Sequence, residues 1–280
     1  MMSKRWIINY LLFTLIIIFT WIGAKYPITE DQLINRNAIT TLKAQDINTI
    51  QIETADTKLE LSKQDGQWYL LQPVQWFASN IAAERISTLA TLEPQSRLPS
   101  HEIDPATLGL TIPKAVVTLN QQRIYFGDTN RIGNRRYLMV DDQVFLASDI
   151  HYPFMQTGIS GLLDNRLLPP PVELQSLEFK DFNLTKTEQG WQSSTDSPAL
   201  AAQQLIDHWR QNQASSIKPF DDSLTPLQKI RAHLSNDQII EFYLLSIKPQ
   251  IILARPDLRL QYHFPDHQYY DLLSLSAPAQ

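Results

Sequence analysis

LSKQDGQW, at Leu61–Trp68, is met again as LTKTEQGW at Leu184–Trp191. Leu61, Lys63 and Trp68 match Leu184, Lys186 and Trp191 at one constant offset. Ahead of the first copy Ile50 and Ile52 alternate, then Leu59 and Leu61, and beyond the turn come Trp68 and Leu70. That period of two predicts strand, turn and strand, with Asp65-Gly66 as the hairpin signal. The glycine slips between the copies, from two residues before the tryptophan to one. A ligand cradle would keep its glycine in register with its aromatic residue, whereas a hairpin tolerates the slip. The pair therefore reads as a turn plus a core anchor, made twice.

Working outward, SNIAAERISTLATL predicts a helix with Ser79 or Asn80 as N-cap and Ile86, Leu89 and Ala90 on one face. AVVTLNQQRIYFGD and RRYLMVDDQVFLAS predict two strand pairs, turning at Asn120-Gln121 and Asp141-Asp142. DIHYPFMQTGISGLLDNRLL predicts a closing helix with Pro153 at or before its start. After Pro169-Pro170-Pro171 the order repeats. There LQSLEFKDF opens the unit, and ALAAQQLIDHW supplies a helix with Ser197 as N-cap and Pro198 at its first position. Lys114, Leu119 and Asp142 share one offset with Lys229, Leu234 and Asp257.

The N-terminus has a different character. Lys4 and Arg5 precede an uncharged apolar run, and Trp6–Ala24 would span about 28 Å as a helix, near the hydrocarbon thickness. Trp6 and Trp21 would sit at its two headgroup layers, and the leading positive charges would hold the N-terminus in the cytoplasm. The alternative is a signal peptide cut after Ile22-Gly-Ala24; the length of the run and Ile22 three residues before the cut argue against it. The expected organisation is therefore residues 1–26 as cytoplasmic tip and transmembrane anchor, 27–46 as tether, 47–168 as a first unit and 169–280 as a second. The fold class is α+β: one N-terminal membrane helix, then two similar antiparallel-sheet-plus-helix units related by internal duplication.

Bulk composition narrows the function. The chain has 280 residues, 43% hydrophobic and 19% charged, enough for a real core. A net charge of -5 gives no basic surplus, so no nucleic acid is expected as partner. No cysteine is present, which removes disulfides, thiol catalysis and thiolate zinc sites.

Several residues and motifs together resemble a known family: the I-x-I strand, the lysine and tryptophan of the first hairpin, the alanine-rich helix, Gly109, Leu110 and Pro113 of LGLTIPKAVVTL, and Gly127, Gly133 and Tyr137 of the following hairpin. The family is domain-of-unknown-function family 4340. The resemblance is closest over Leu42–Leu168 and looser beyond, where Gly127, Gly133 and Tyr137 lack clear counterparts. It implies a bacterial envelope protein with one N-terminal anchor. Some such proteins resemble partners of ABC transporters of the gliding-motility type. It implies no catalytic residue.

Chemistry-bearing motifs are sparse. Gly158-Ile-Ser160-Gly-Leu162 fails as a nucleophile elbow, because Leu162 stands where that turn needs glycine. His263 and His267 have zinc-like spacing, but Pro265 breaks the helix that spacing needs, leaving two surface histidines. Arg131, Arg135 and Arg136 stand beside Asp128, Asp141 and Asp142. They read either as an anion-recognising edge or as a solvated hairpin with charges paired across strands; the interleaved signs favour the hairpin. Trp68, Trp191 and Trp209 are expected in the core, and Trp76-Phe77, in a loop after Pro73, as an exposed contact.

The expected function is non-enzymatic, with no catalytic, cofactor or metal residue assigned. The chain would be a single-pass protein of the bacterial inner membrane, its body periplasmic, serving as accessory or scaffold subunit of a membrane complex, ABC transporters included. Its partners would be the bilayer and other envelope proteins, met through Trp76, Phe77, Arg131, Arg135 and Arg136. The alternative is a periplasmic module binding a glycan, lipid or transporter substrate in a cleft between the units.

Overall fold

A computed structural model describes residues 37–99, 103–169 and 171–275. The expected membrane helix, with Trp6 and Trp21, lies outside these residues. Among the described residues no helix is long and apolar enough to cross a membrane.

Two antiparallel sheets with few helices make up the body, consistent with two similar units. The first sheet contains β1 (Thr49–Thr54), β2 (Lys58–Gln64), β3 (Gln67–Gln72), β4 (Trp76–Phe77), β5 (Ser96–Leu98), β6 (Ala115–Leu119), β7 (Gln122–Asn130), β8 (Arg135–Val140) and β9 (Gln143–Ser148). Their spatial order is β4-β3-β2-β1-β6-β7-β8-β9-β5. The second sheet contains β10 (Leu174–Glu178), β11 (Asn183–Thr187), β12 (Gly190–Ser193), β13 (Ser216–Pro219), β14 (Gln228–Leu234), β15 (Ile239–Ser246), β16 (Gln250–Arg255) and β17 (Leu260–Pro265). Its order, β12-β11-β10-β14-β15-β16-β17-β13, repeats the first with β4 left out.

The hairpin copies occupy equivalent places. Lys63 faces Trp68 across the first, and Lys186 faces Trp191 across the second. The slipped glycine has a backbone cause. In the first loop Asp65 (φ 49) and Gly66 (φ 81) are both left-handed, the geometry of a type I′ turn. In the second, the positive φ moves to Gly190 (φ 108), the first residue of β12. Both solutions return the tryptophan to the inner face: Trp68 and Trp191 are 1% and 7% exposed.

Among the described residues five α-helical segments accompany the sheets: α1 (Asn80–Ser87), α2 (Tyr152–Met155), α3 (Ile159–Leu162), α4 (Ala199–Gln211) and α5 (Tyr269–Leu273). The single closing helix expected after β9 is two short turns, α2 and α3, parted at Gly158 (φ 62). Ser79 caps α1 by accepting from the Ala82 amide. Pro198, not Ser197, is the N-cap of α4, and no side chain caps it. Trp209, fully buried on α4, packs edge-on against Phe242 and donates its indole N–H to the Leu272 carbonyl.

One continuous apolar cluster runs through both units and the segment between them. Leu163, Leu167, Leu168 and Val172 of that segment are buried. Each such side chain contributes about 1.5–3 kcal/mol relative to exposure. The last part of the expected tether is also packed. Ala38, Ile39 and Thr40 are buried, and Thr40 donates to the Ala90 carbonyl at 2.7 Å. Burial of Ile39 offsets part of the entropy of fixing this stretch.

Candidate functional site at the junction of the two units

The segment between the sheets is hydrogen-bonded to both. Leu163 bridges Ala78 of the first unit, and Arg166 bridges Gln213 of the second. Leu168 donates its amide to the Trp209 carbonyl, and Arg210 of α4 donates to the Val172 carbonyl. This strap fixes how the units meet.

Beside it opens a cleft of 170 Å3, lined by Gln67, Ser79, Asn80, Ile81, Asp164, Asn165, Arg166 and Gln213. The first four come from β3 and the start of α1, the next three from the strap, and Gln213 from beyond α4. Asn80 accepts the Trp68 amide at 2.9 Å, and Gln67 donates to the Trp68 and Ala78 carbonyls. Asp164 and Arg166 form a two-point ion pair through Nε and Nη2. The Asp164 carboxylate, hydrogen-bonded to the guanidinium, raises the arginine pKa. The lining is therefore four amides, a capping hydroxyl, one ion pair and Ile81, exposed at the rim. It can exchange hydrogen bonds with a polar ligand through both donors and acceptors. Among the described residues no group of three histidines or carboxylates could hold a metal ion.

Deeper in the junction, Arg255 of β16 lies with its guanidinium 4.1 Å from the Trp76 ring and 5.3 Å from that of Phe242. It is 1% exposed and gives two hydrogen bonds to Asp257. Arg255 Nη1, Trp76 Nε1 and the Tyr262 hydroxyl are buried and have no hydrogen-bond partner among the described residues. Burial pushes the Tyr262 hydroxyl up to about 12, aided by the Asp164 and Asp257 charges and opposed by Arg255.

These positions correct several expectations. Trp76-Phe77 is not an exposed contact: both are half-buried, they form β4, and Trp76 packs across the junction on Arg255. The attraction between a cation and a ring face is stronger when both are desolvated, which favours Trp76 packed on Arg255. Arg136 is not at the surface either. It is 6% exposed, gives two hydrogen bonds of 2.8 Å to buried Asp149, donates to the Gly127 carbonyl and lies 3.7 Å from the Tyr152 ring. Its partner is Asp149, beyond the carboxylates that stand near it in sequence. Arg131 is exposed at the β7–β8 turn and Arg135 half-buried. That hairpin lies apart from the cleft. His263 is buried rather than superficial, bonded to Gln261 and Gln250, and burial lowers its pKa. His267 is exposed.

Gly109 and Gly127 are close-packing positions. Gly109 (φ 68) lies on Asp128, and a side chain at Gly127 would collide with the Leu108 carbonyl. Tyr137 accepts from Asn130 across the β7–β8 hairpin.

The family model for a domain of unknown function (DUF4340) matches residues 78–235, more than half of the chain. The protein belongs to that family. The match begins at the end of the first hairpin region, crosses the strap and ends after β14, so it spans the junction rather than one unit. No curated protein and no solved structure matches the chain.

Proposed function

We propose that this protein is a non-enzymatic accessory or scaffold subunit of a bacterial membrane complex, held in the inner membrane by Trp6–Ala24 with its two-sheet body periplasmic. One observation carries the reading. Ile112, Ile132 and Ile150 are 84%, 78% and 52% exposed, and stand on three loops at one end of the first sheet. The Ile112 loop rests on Gly127 and Asp128, and the Asp149 amide bonds the Asn134 carbonyl of the Ile132 turn. Grouped isoleucines with Arg131 beside them are the composition of an interface more than of an idle surface. A photo-crosslinking residue at Ile132 in the full-length, membrane-embedded protein should give a discrete adduct with a second envelope protein. A protein that runs alone after this treatment would remove the reading's support. A reporter fused after Gln280 that is active only in the cytoplasm would overturn the topology.

A second reading is favoured by the amide-lined cleft: a periplasmic module binding a glycan or other polar ligand at the junction. It predicts a thermal shift with envelope glycans that Asn165→Ala abolishes. An unshifted transition across such ligands would leave the cleft as structural packing.

A further inference from the structure

The two sheets differ by one strand, and that strand leaves a mark. In the first unit the outer edge of β3 is closed. Leu70 pairs with Trp76 and Tyr69 with Phe77, the Ala78 amide bonds the Trp68 carbonyl, and Asn80 takes the Trp68 N–H. The second unit has no room for this return. The chain uses residues 67–79 between the start of β3 and α1, but only 190–198 between the start of β12 and α4.

The consequence follows from ladder geometry. Thr187 and Gly190 close the β11–β12 turn as a hydrogen-bonded pair. The next pair, Lys186 and Trp191, is then non-bonded, and its peptide groups point away from one another. Leu184 and Ser193 repeat that state. The N–H and C=O of Trp191 and Ser193 therefore face outward, as those of Trp68 and Leu70 do beneath β4. Helix α4 packs along β12, but among the described residues no hydrogen bond outside the β11 ladder reaches these backbone groups.

The other sheet edges are blunted. β3 is covered by β4, β5 carries Arg97, and β13 carries Lys218 and Pro219. Charges and proline are the usual protections of an edge, and Gly190-Trp-Gln-Ser193 has neither.

We infer that the outer edge of β12 is a strand-addition site. Its occupant is an extended segment of a partner protein that pairs antiparallel with Trp191–Ser193 as β4 pairs with β3. Two features set the segment's chemistry. The equivalent edge is filled by Trp76-Phe77, so the pairing residues are aromatic or similarly large and apolar. Glu188 and Asp196, both exposed, flank the edge, so lysine or arginine belongs at the segment's ends. The identity of the occupant as a protein rests on the accessory-subunit reading; the vacancy itself does not.

Hydrogen exchange on the full chain in detergent tests both parts, with the synthetic peptide Lys-Val-Gln-Trp-Phe-Ala-Lys as probe. In the free protein the Trp191 and Ser193 amides should exchange roughly tenfold or more faster than those of Trp68 and Leu70. Peptide should slow them, and Ser193→Pro should abolish that slowing without changing the exchange of β3. A Trp191 amide as protected as that of Trp68 before peptide is added would overturn the proposal. So would unchanged exchange at saturating peptide. A crosslink from Ile132 without protection at β12 would sink the edge and leave the accessory-subunit reading standing; protection without that crosslink would do the reverse.

Discussion

Each unit buries one arginine on equivalent strands, and the two arginines are held differently. Arg136 is the second residue of β8, while Arg255 closes β16. Counted from the turn that follows each strand, Arg136 corresponds to Ile251 and Arg255 to Val140, all of them buried. The same scaffold thus accepts an ion pair or an aliphatic side chain at both positions. What differs is the partner left behind. Asp149, beneath Arg136, is 7% exposed at its side chain, whereas Asp257, beside Arg255, is 55% exposed. The first arginine neutralises a buried charge within its own unit. The second serves the junction, under Trp76 of the other unit.

The largest effects test whether the hairpin copies are equivalent anchors. Trp68→Ala and Trp191→Ala should each destabilise the fold by about 3–5 kcal/mol in denaturant unfolding, because each removes a buried aromatic side chain. A large loss at Trp68 with none at Trp191 would break the equivalence.

The arginines come next. Arg136→Met should cost about 3–5 kcal/mol, since it strands Asp149 in the core. Arg255→Met should cost less, because Asp257 is already solvated and an aliphatic side chain suits the place of Val140. Equal losses in thermal or urea unfolding would show that the two sites are alike after all.

The histidines after the last strand of each sheet make a third contrast. His151 is buried and its pKa is lowered to about 4, chiefly by burial and further by the Arg85 charge. A base with a depressed folded pKa favours the fold above its unfolded value of about 6.5 and loses that contribution as pH falls towards 4. About 3 kcal/mol should disappear across that window, and His151→Gln should flatten this part of a stability-against-pH curve. His267, which follows the last strand of the second sheet, is exposed instead.

The parts that alternation could reveal were legible in the sequence, and the parts made by long-range closure were not. Ile50, Ile52, Leu59, Leu61 and Trp68 carry a period of two, and every one is buried. Trp76-Phe77 forms a two-residue strand, too short for any periodicity, so its pairing with β3 had no local signal. Arg136 and Arg255 look solvated because charge predicts exposure; Asp149 and Trp76, which make their burial tolerable, are distant in sequence. The cleft is still less legible. Gln67, Asn80, Asn165 and Gln213 are ordinary polar residues, brought together only by the strap. Ser79 and Asn80 are both candidate caps in the sequence; Ser79 is the cap, and Asn80 serves the neighbouring strand instead.

The smallest effect bears most directly on what separates the units. Asn80 gives the Trp68 amide its acceptor; Trp191 has Ala199 near the matching helix start and no such acceptor. Asn80→Ala should therefore cost only about 1 kcal/mol, one hydrogen bond at a partly exposed site. The melting temperature should fall by about 2–4 °C for a chain of this size. The sharper readout is local. Hydrogen exchange at Trp68 should accelerate towards the rate at Trp191 while Leu70, still paired with Trp76, stays slow. If Leu70 accelerates too, β4 is held by the asparagine rather than by its own pairing. The missing strand of the second unit would then trace to the missing amide as much as to the shorter connection.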